Sequence, residues 1–175
     1  MTERRELAAK FILLGFVGLF VFFFSRPHGN HPPKLGEPAP NFTLQRDDGK
    51  PVSLGDFRGK ILVVNFWATW CGPCVDEVPS LNKFAQEFKD KGVRVLGVSV
   101  DEDPDAYRKF LAKYQISFLT VRNASRTVSE SYGTFKLPES YIISRDGRVL
   151  QKVVGATNWT DPEMVNYVDG LVAGL

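Results

Sequence analysis

Ile61-Leu62-Val63-Val64-Asn65-Phe66-Trp67-Ala68-Thr69-Trp70-Cys71-Gly72-Pro73-Cys74 decides the fold, and it holds both cysteines of the 175-residue chain. Ile61 to Trp67 is apolar and β-branched, the composition of a buried strand. Beyond the cysteines, Val75, Val78, Leu81, Phe84, Ala85 and Phe88 recur at helical spacing. Cys71 therefore falls where a strand ends and a helix begins. Unpaired N–H groups and the positive end of the helix dipole favour an anion there. That placement lowers the thiol pKa and makes Cys71 a nucleophile. Pro73 suits the first turn, where its missing N–H costs nothing. With two residues between the sulfurs, the turn can close into a disulfide or open into a dithiol.

The helix also sorts the sulfurs. At roughly 100° per residue, Cys74 lies near the middle of the apolar stripe and is expected to be buried. Cys71, at the helix mouth, is expected to be exposed. Glu77 lies about 60° from Cys74 by the same count, at the edge of the stripe. A partly buried carboxylate three residues from a buried thiol can exchange a proton with it.

Trp70-Cys71-Gly72-Pro73-Cys74 resembles the active site of the thioredoxin superfamily. The longer string from Asn65 to Cys74, with Glu77 and Pro79 behind it, is similar to TlpA/ResA-type membrane-anchored thiol–disulfide oxidoreductases. The resemblance covers roughly Lys34 to the C-terminus. It implies a thioredoxin-like α/β fold, a redox disulfide Cys71–Cys74, and supporting roles for Trp70, Gly72 and Pro73. Trp67 is assigned to the core and Trp70 to shielding the site. Thioredoxin itself usually carries a buried Asp where this chain has Asn65. Asn accepts no proton at neutral pH, which leaves Glu77 as the candidate acceptor for Cys74.

Residues 1–25 differ in kind. Arg4, Arg5 and Lys10 precede an uncharged apolar run from Phe11 to Phe24. Counted from Leu7, a helix here spans about 27 Å against a bilayer core of about 30 Å, with Lys10 snorkelling. Phe22-Phe23-Phe24-Ser25-Arg26-Pro27 offers no small-x-small cleavage site, so an uncleaved signal anchor, one transmembrane helix, is expected rather than a cleaved signal peptide. The positive N-terminal flank places that end in the cytoplasm and residues 35–175 outside, in the periplasm or its equivalent. Residues 26–34 read as a linker with three prolines and both histidines. Two histidines on such a segment make a poor metal site, and no metal or cofactor is expected. Charge is near balance, 22 Lys+Arg against 20 Asp+Glu, with no basic stripe for nucleic acid.

The domain opens with an expected hairpin that turns at Asp47-Asp48-Gly49 and returns through Val52-Ser53-Leu54. After the motif helix, which Pro79 is expected to bend, Val93 to Val100 reads as a second central strand. Asp103-Pro104 starts a helix through Leu111. By resemblance this strand–helix unit is the insertion of the TlpA/ResA and peroxiredoxin branches. A short strand at Phe118–Val121 and a short helix from Ser125 to Tyr132 follow. Strands alternating with helices indicate an α/β fold with a central sheet. Pro138, before the apolar run Tyr141-Ile142-Ile143, matches the thioredoxin cis-proline by resemblance. A cis bond there would leave the Leu137 backbone free to pair with an extended substrate. Ser144 to Arg148 reads as a hairpin turn into Val149–Val154, and Thr160-Asp161-Pro162-Glu163 as a helix start.

A disulfide closing so short a loop is a poor staple, so the pair reads as redox-active. The expected reaction is exchange: the Cys71 thiolate attacks a substrate disulfide and Cys74 resolves the mixed disulfide. Protein disulfides are the expected substrates. Outside the cytoplasm a reductase needs electrons delivered through the membrane. Family members of this type reduce the haem-binding cysteines of apocytochrome c and are re-reduced by a transmembrane electron donor. The resemblance carries both partners over as expectations. Gly72-Pro73 leans towards a reducing potential, although about 30 mV is only about 1.4 kcal/mol. An oxidant or isomerase would use the same residues, and a thiol peroxidase would turn over peroxide with Cys71 alone. Copper delivery would want wider cysteine spacing and a downstream histidine, and none follows His31.

Overall fold

Every residue of the strand Ile61–Trp67 is buried, because both faces of this apolar run are covered. The computed structural model describes residues 31–174, and the expected signal anchor lies outside them. In chain order the elements are β1 (Thr43–Gln45), β2 (Pro51–Ser53), a 3₁₀ turn (Leu54–Phe57), β3 (Ile61–Trp67), α1 (Gly72–Phe88), β4 (Val93–Ser99), α2 (Pro104–Lys113), β5 (Leu119–Arg122), α3 (Thr127–Ser131), β6 (Glu139–Ile143), β7 (Val149–Val154) and α4 (Pro162–Ala173). Among the described residues no helix is long and apolar enough to cross a membrane.

The main sheet runs β5-β4-β3-β6-β7, and β1 and β2 form a separate hairpin. β3, β4 and β5 are parallel, while β6 and β7 are antiparallel to their neighbours. β4 followed by α2 is the strand–helix unit read from the sequence, and β5 extends the sheet beyond it. Side chains alternate across β3, as the period of two requires. Ile61 and Val63 pack with Leu81, Phe84 and Phe88 of α1 and with Trp159 and Val168. Leu62, Val64 and Phe66 pack on the other face with the hairpin residues Leu44 and Val52 and with Val128 and Tyr132. Asn65 belongs by parity to the α1 face, where a polar side chain must find partners. Pro79 lies inside α1, and the helix continues to Phe88.

Gly97 of β4 is required by a close approach. A Cβ there would lie 2.9 Å from Trp67 Nε1, 3.0 Å from Phe118 and 3.1 Å from Thr120. The Trp67 indole therefore comes close against Gly97 of β4 and meets Phe110 in a tilted pair, centroids 4.9 Å apart. This places Trp67 in the core with both cysteines.

Candidate active site

Cys71 is the N-cap of α1, and its sulfur accepts the Cys74 N–H at 3.2 Å. Cys71 and Cys74 are joined in a disulfide. Cys74 is 2% exposed and Cys71 7%. The expected order of accessibility therefore holds, but the expectation that Cys71 is exposed does not. Bonded to Cys74, it belongs to a buried cluster with Trp67, Ala68, Val78 and Val100, against which Leu137 packs. Trp70, beside it, is 64% exposed. A groove of about 420 Å³ reaches Cys71, with Trp70 and Leu137 among its walls.

The loop before Cys71 is anchored from β4. Asp101, 2% exposed, accepts the Thr69 N–H at 3.0 and 3.1 Å, the Thr69 hydroxyl at 2.7 Å and the Ser99 hydroxyl at 2.6 Å. Buried carboxylates persist only when so satisfied. Asp101 thus ties the loop that presents Cys71 to the end of a central strand. Opposite, the Leu137–Pro138 peptide is cis, and Leu137 packs against the cluster holding both cysteines. The Pro138 carbonyl accepts Gly155 N–H at 2.9 Å. Among the described residues the Leu137 main chain makes no hydrogen bond.

Glu77 is more deeply buried than its position at the stripe edge suggested, at 3% exposed. Its Oε1 accepts from Trp159 Nε1 at 2.6 Å and from Thr157 N at 3.3 Å, and its Oε2 from Asn65 Nδ2 at 3.3 Å. Asn65 also donates to Ser140 Oγ at 2.9 Å. Burial pushes the Glu77 carboxyl up to about 7, against the lowering effect of these three donors. Between Glu77 and Cys74 lies a cavity of about 10 Å³, also lined by Asn65 and Trp67. That is about the size of a single water. Trp67 Nε1 is buried without a partner among the described residues.

The structure thus brings Cys71, Cys74, Glu77, Trp70, Gly72, Pro73, Leu137 and Pro138 to one end of the sheet. Asp101, Trp159, Thr157 and Ser140 escaped the sequence reading. Ser99-Val100-Asp101 ends a strand and Asn158-Trp159-Thr160 sits in a polar loop. A tryptophan amid polar residues signals burial, but nothing local names its partner.

A protein-family model described as the AhpC/TSA family matches residues 35–152. The thiol-disulfide oxidoreductase ResA of Bacillus cereus is 35% identical over 160 residues, covering 89% of this chain and 91% of that protein. ResA of Bacillus subtilis is 37% identical over 120 residues, 69% of this chain and 67% of that protein. A crystal structure described as a thiol:disulfide interchange protein DsbE from Chlorobium tepidum superposes with a TM-score of 0.75 at 30% identity. It covers 80% of this chain and 99% of its own.

Proposed function

Because the chain belongs to the AhpC/TSA family, and within it with the ResA-type thiol–disulfide oxidoreductases, we propose that it is a membrane-anchored, extracytoplasmic reductase of protein disulfides. In the reduced enzyme the Cys71 thiolate, stabilised at the α1 N-terminus, attacks one sulfur of a substrate disulfide. The substrate S–S bond breaks, a Cys71–substrate disulfide forms, and the leaving thiolate takes a proton from solvent. Cys74 gives its proton to Glu77 across the small cavity and attacks Cys71 Sγ. The second substrate thiolate departs, two electrons have passed to the substrate, and the enzyme is left as the Cys71–Cys74 disulfide. A transmembrane thiol oxidoreductase returns two electrons, and two protons complete the dithiol.

The observation that carries this reading is Glu77, a buried carboxyl with a pKa of about 7 that shares a cavity with Cys74. A general base works best when its pKa lies near the operating pH. The Leu137 main chain offers an extended substrate its edge, and Trp70 covers the approach to Cys71. The reducing direction rests on Gly72-Pro73. The apocytochrome c substrate and the signal anchor over residues 1–25 rest on the resemblance and on the N-terminal sequence.

Substrate trapping tests it. Cys74→Ser in native membranes should accumulate mixed disulfides through Cys71 that a reductant dissolves, with apocytochrome c among them. The reduced wild-type enzyme should reduce insulin. No trapped adduct together with intact insulin would refute the reading, whereas peroxide consumption through Cys71 alone would favour a thiol peroxidase.

A further inference from the structure

On the face of the sheet opposite α1, a third buried carboxylate, besides Asp101 and Glu77, sits immediately after cis-Pro138. Glu139 is fully buried. Its Oε1 receives Lys152 Nζ at 2.8 Å and the Tyr141 hydroxyl at 2.7 Å. Lys152 reaches it from β7, where it lies opposite Tyr141 in the antiparallel register. The same ammonium donates to the Gly133 carbonyl at 3.4 Å and stands 5.2 Å from the Phe135 ring centroid. One cation therefore ties β7 to the start of β6 and to both ends of the turn Gly133-Thr134-Phe135.

That turn is a wall of the groove that reaches Cys71, built from Thr134, Phe135, Lys136 and Leu137 and faced by Trp70. Phe135 is 79% exposed and Trp70 64%, the two most exposed large apolar side chains of the described domain. Water is a poor environment for two aromatic rings flanking a reactive sulfur, and apolar surface gathered at one site marks a place where a partner is received. A cation over an aromatic face restricts that ring without covering its other side.

We propose that Lys152 is a positioning residue for substrate capture. Its ammonium, anchored on Glu139, holds the Gly133–Leu137 wall and the Phe135 ring. The groove then receives an extended protein segment with an apolar residue beside its disulfide cysteine. The inference rests on thiol–disulfide exchange at Cys71 and concerns only which disulfides reach it. A small disulfide needs Cys71 but not the wall, so the two substrates separate capture from chemistry.

The test is steady-state reduction of insulin and of oxidised glutathione by the full-length protein, re-reduced by dithiothreitol with the enzyme-free rate subtracted, with Lys152→Met, Lys152→Arg and Phe135→Ala beside wild type. Lys152→Met keeps the stem and loses the charge. It should raise KM for insulin by about fivefold or more, with kcat and the glutathione rate changed by less than about twofold. Lys152→Arg should restore most of the insulin KM. Phe135→Ala, an exposed site whose truncation leaves the fold intact, should raise the insulin KM alike. The pair Lys152→Met/Phe135→Ala should lose no more than the worse single variant, because both act through one ring. An insulin KM unchanged in Phe135→Ala, or equal slowing of both substrates in Lys152→Met, overturns the proposal. Wild-type enzyme that reduces neither disulfide overturns the exchange reading itself.

Discussion

The indole Nε1 of Trp159 donates to Glu77 Oε1 at 2.6 Å, joining a loop beyond β7 to the helix that carries both cysteines. This donor favours the charged carboxylate and partly offsets its burial. Trp159→Phe keeps most of the ring and removes the donor. A hydrogen bond to a charged group contributes about 1.5–3 kcal/mol, so the Glu77 pKa should rise by about one to two units. The acid limb of the pH–rate profile for insulin reduction should move to higher pH by the same amount. A profile with the wild-type midpoint would remove Trp159 from the mechanism.

Glu77 should reduce stability while serving reactivity. Its folded pKa, about 7, lies above the ordinary value of 4.5. Between those values the native state holds a proton that the unfolded chain has released, so stability falls as pH rises through this window. Above pH 7 the loss is complete, about 3 kcal/mol. Glu77→Gln keeps an acceptor for Trp159 and cannot ionise. It should be more stable than wild type by about 1–3 kcal/mol at pH 8 and nearly equal to it at pH 4. Turnover should be lower at neutral pH. Urea denaturation at the two pH values decides this, and a variant no more stable at pH 8 contradicts the assignment.

Asp101 holds Thr69 from the end of β4, through both the main chain and the hydroxyl. Asp101→Ala leaves the Thr69 N–H and two hydroxyls without their acceptor, at a cost of about 2–4 kcal/mol. Because Thr69 lies two residues before Cys71, alkylation of the reduced Cys71 thiol should also slow at neutral pH. Retention of full reactivity in a destabilised variant would limit Asp101 to a structural role.

Gly97→Ala should destabilise the domain by about 1–3 kcal/mol. The added methyl would press on Trp67, Phe118 and Thr120 at once, and Trp67 lines the cavity next to Cys74. Thermal denaturation reads the loss, and a variant with wild-type stability would show that the indole can shift without cost.

Local residues carried the motif and its scaffold. Ile61–Trp67 announced a buried strand by composition, and Cys71-Gly72-Pro73-Cys74, Asp103-Pro104 and Thr160-Asp161-Pro162 announced helix starts; the structure makes Asp103 and Asp161 the caps of α2 and α4, each accepting the N–H two residues on. Apolar parity along α1 ranked Cys74 below Cys71. It misjudged how far Cys71 is covered, because a residue's burial depends on its bonded partner as well as its angle on the helix.

The order of the strands, and with it the company each side chain keeps, came from tertiary packing. Helical spacing could bring Glu77 near Cys74, since both lie on one helix and three residues set the angle. It could not bring Trp159, Thr157 or Asn65 to that carboxylate, nor Lys152 to Glu139, because those contacts join residues that only the tertiary fold makes neighbours. Propensity and period act over a few residues, and that range was enough to place a redox dithiol at a strand–helix junction. Only the folded structure decided the proton affinity of the acid beneath it, since desolvation and hydrogen bonding arise from whatever the whole chain packs around the group.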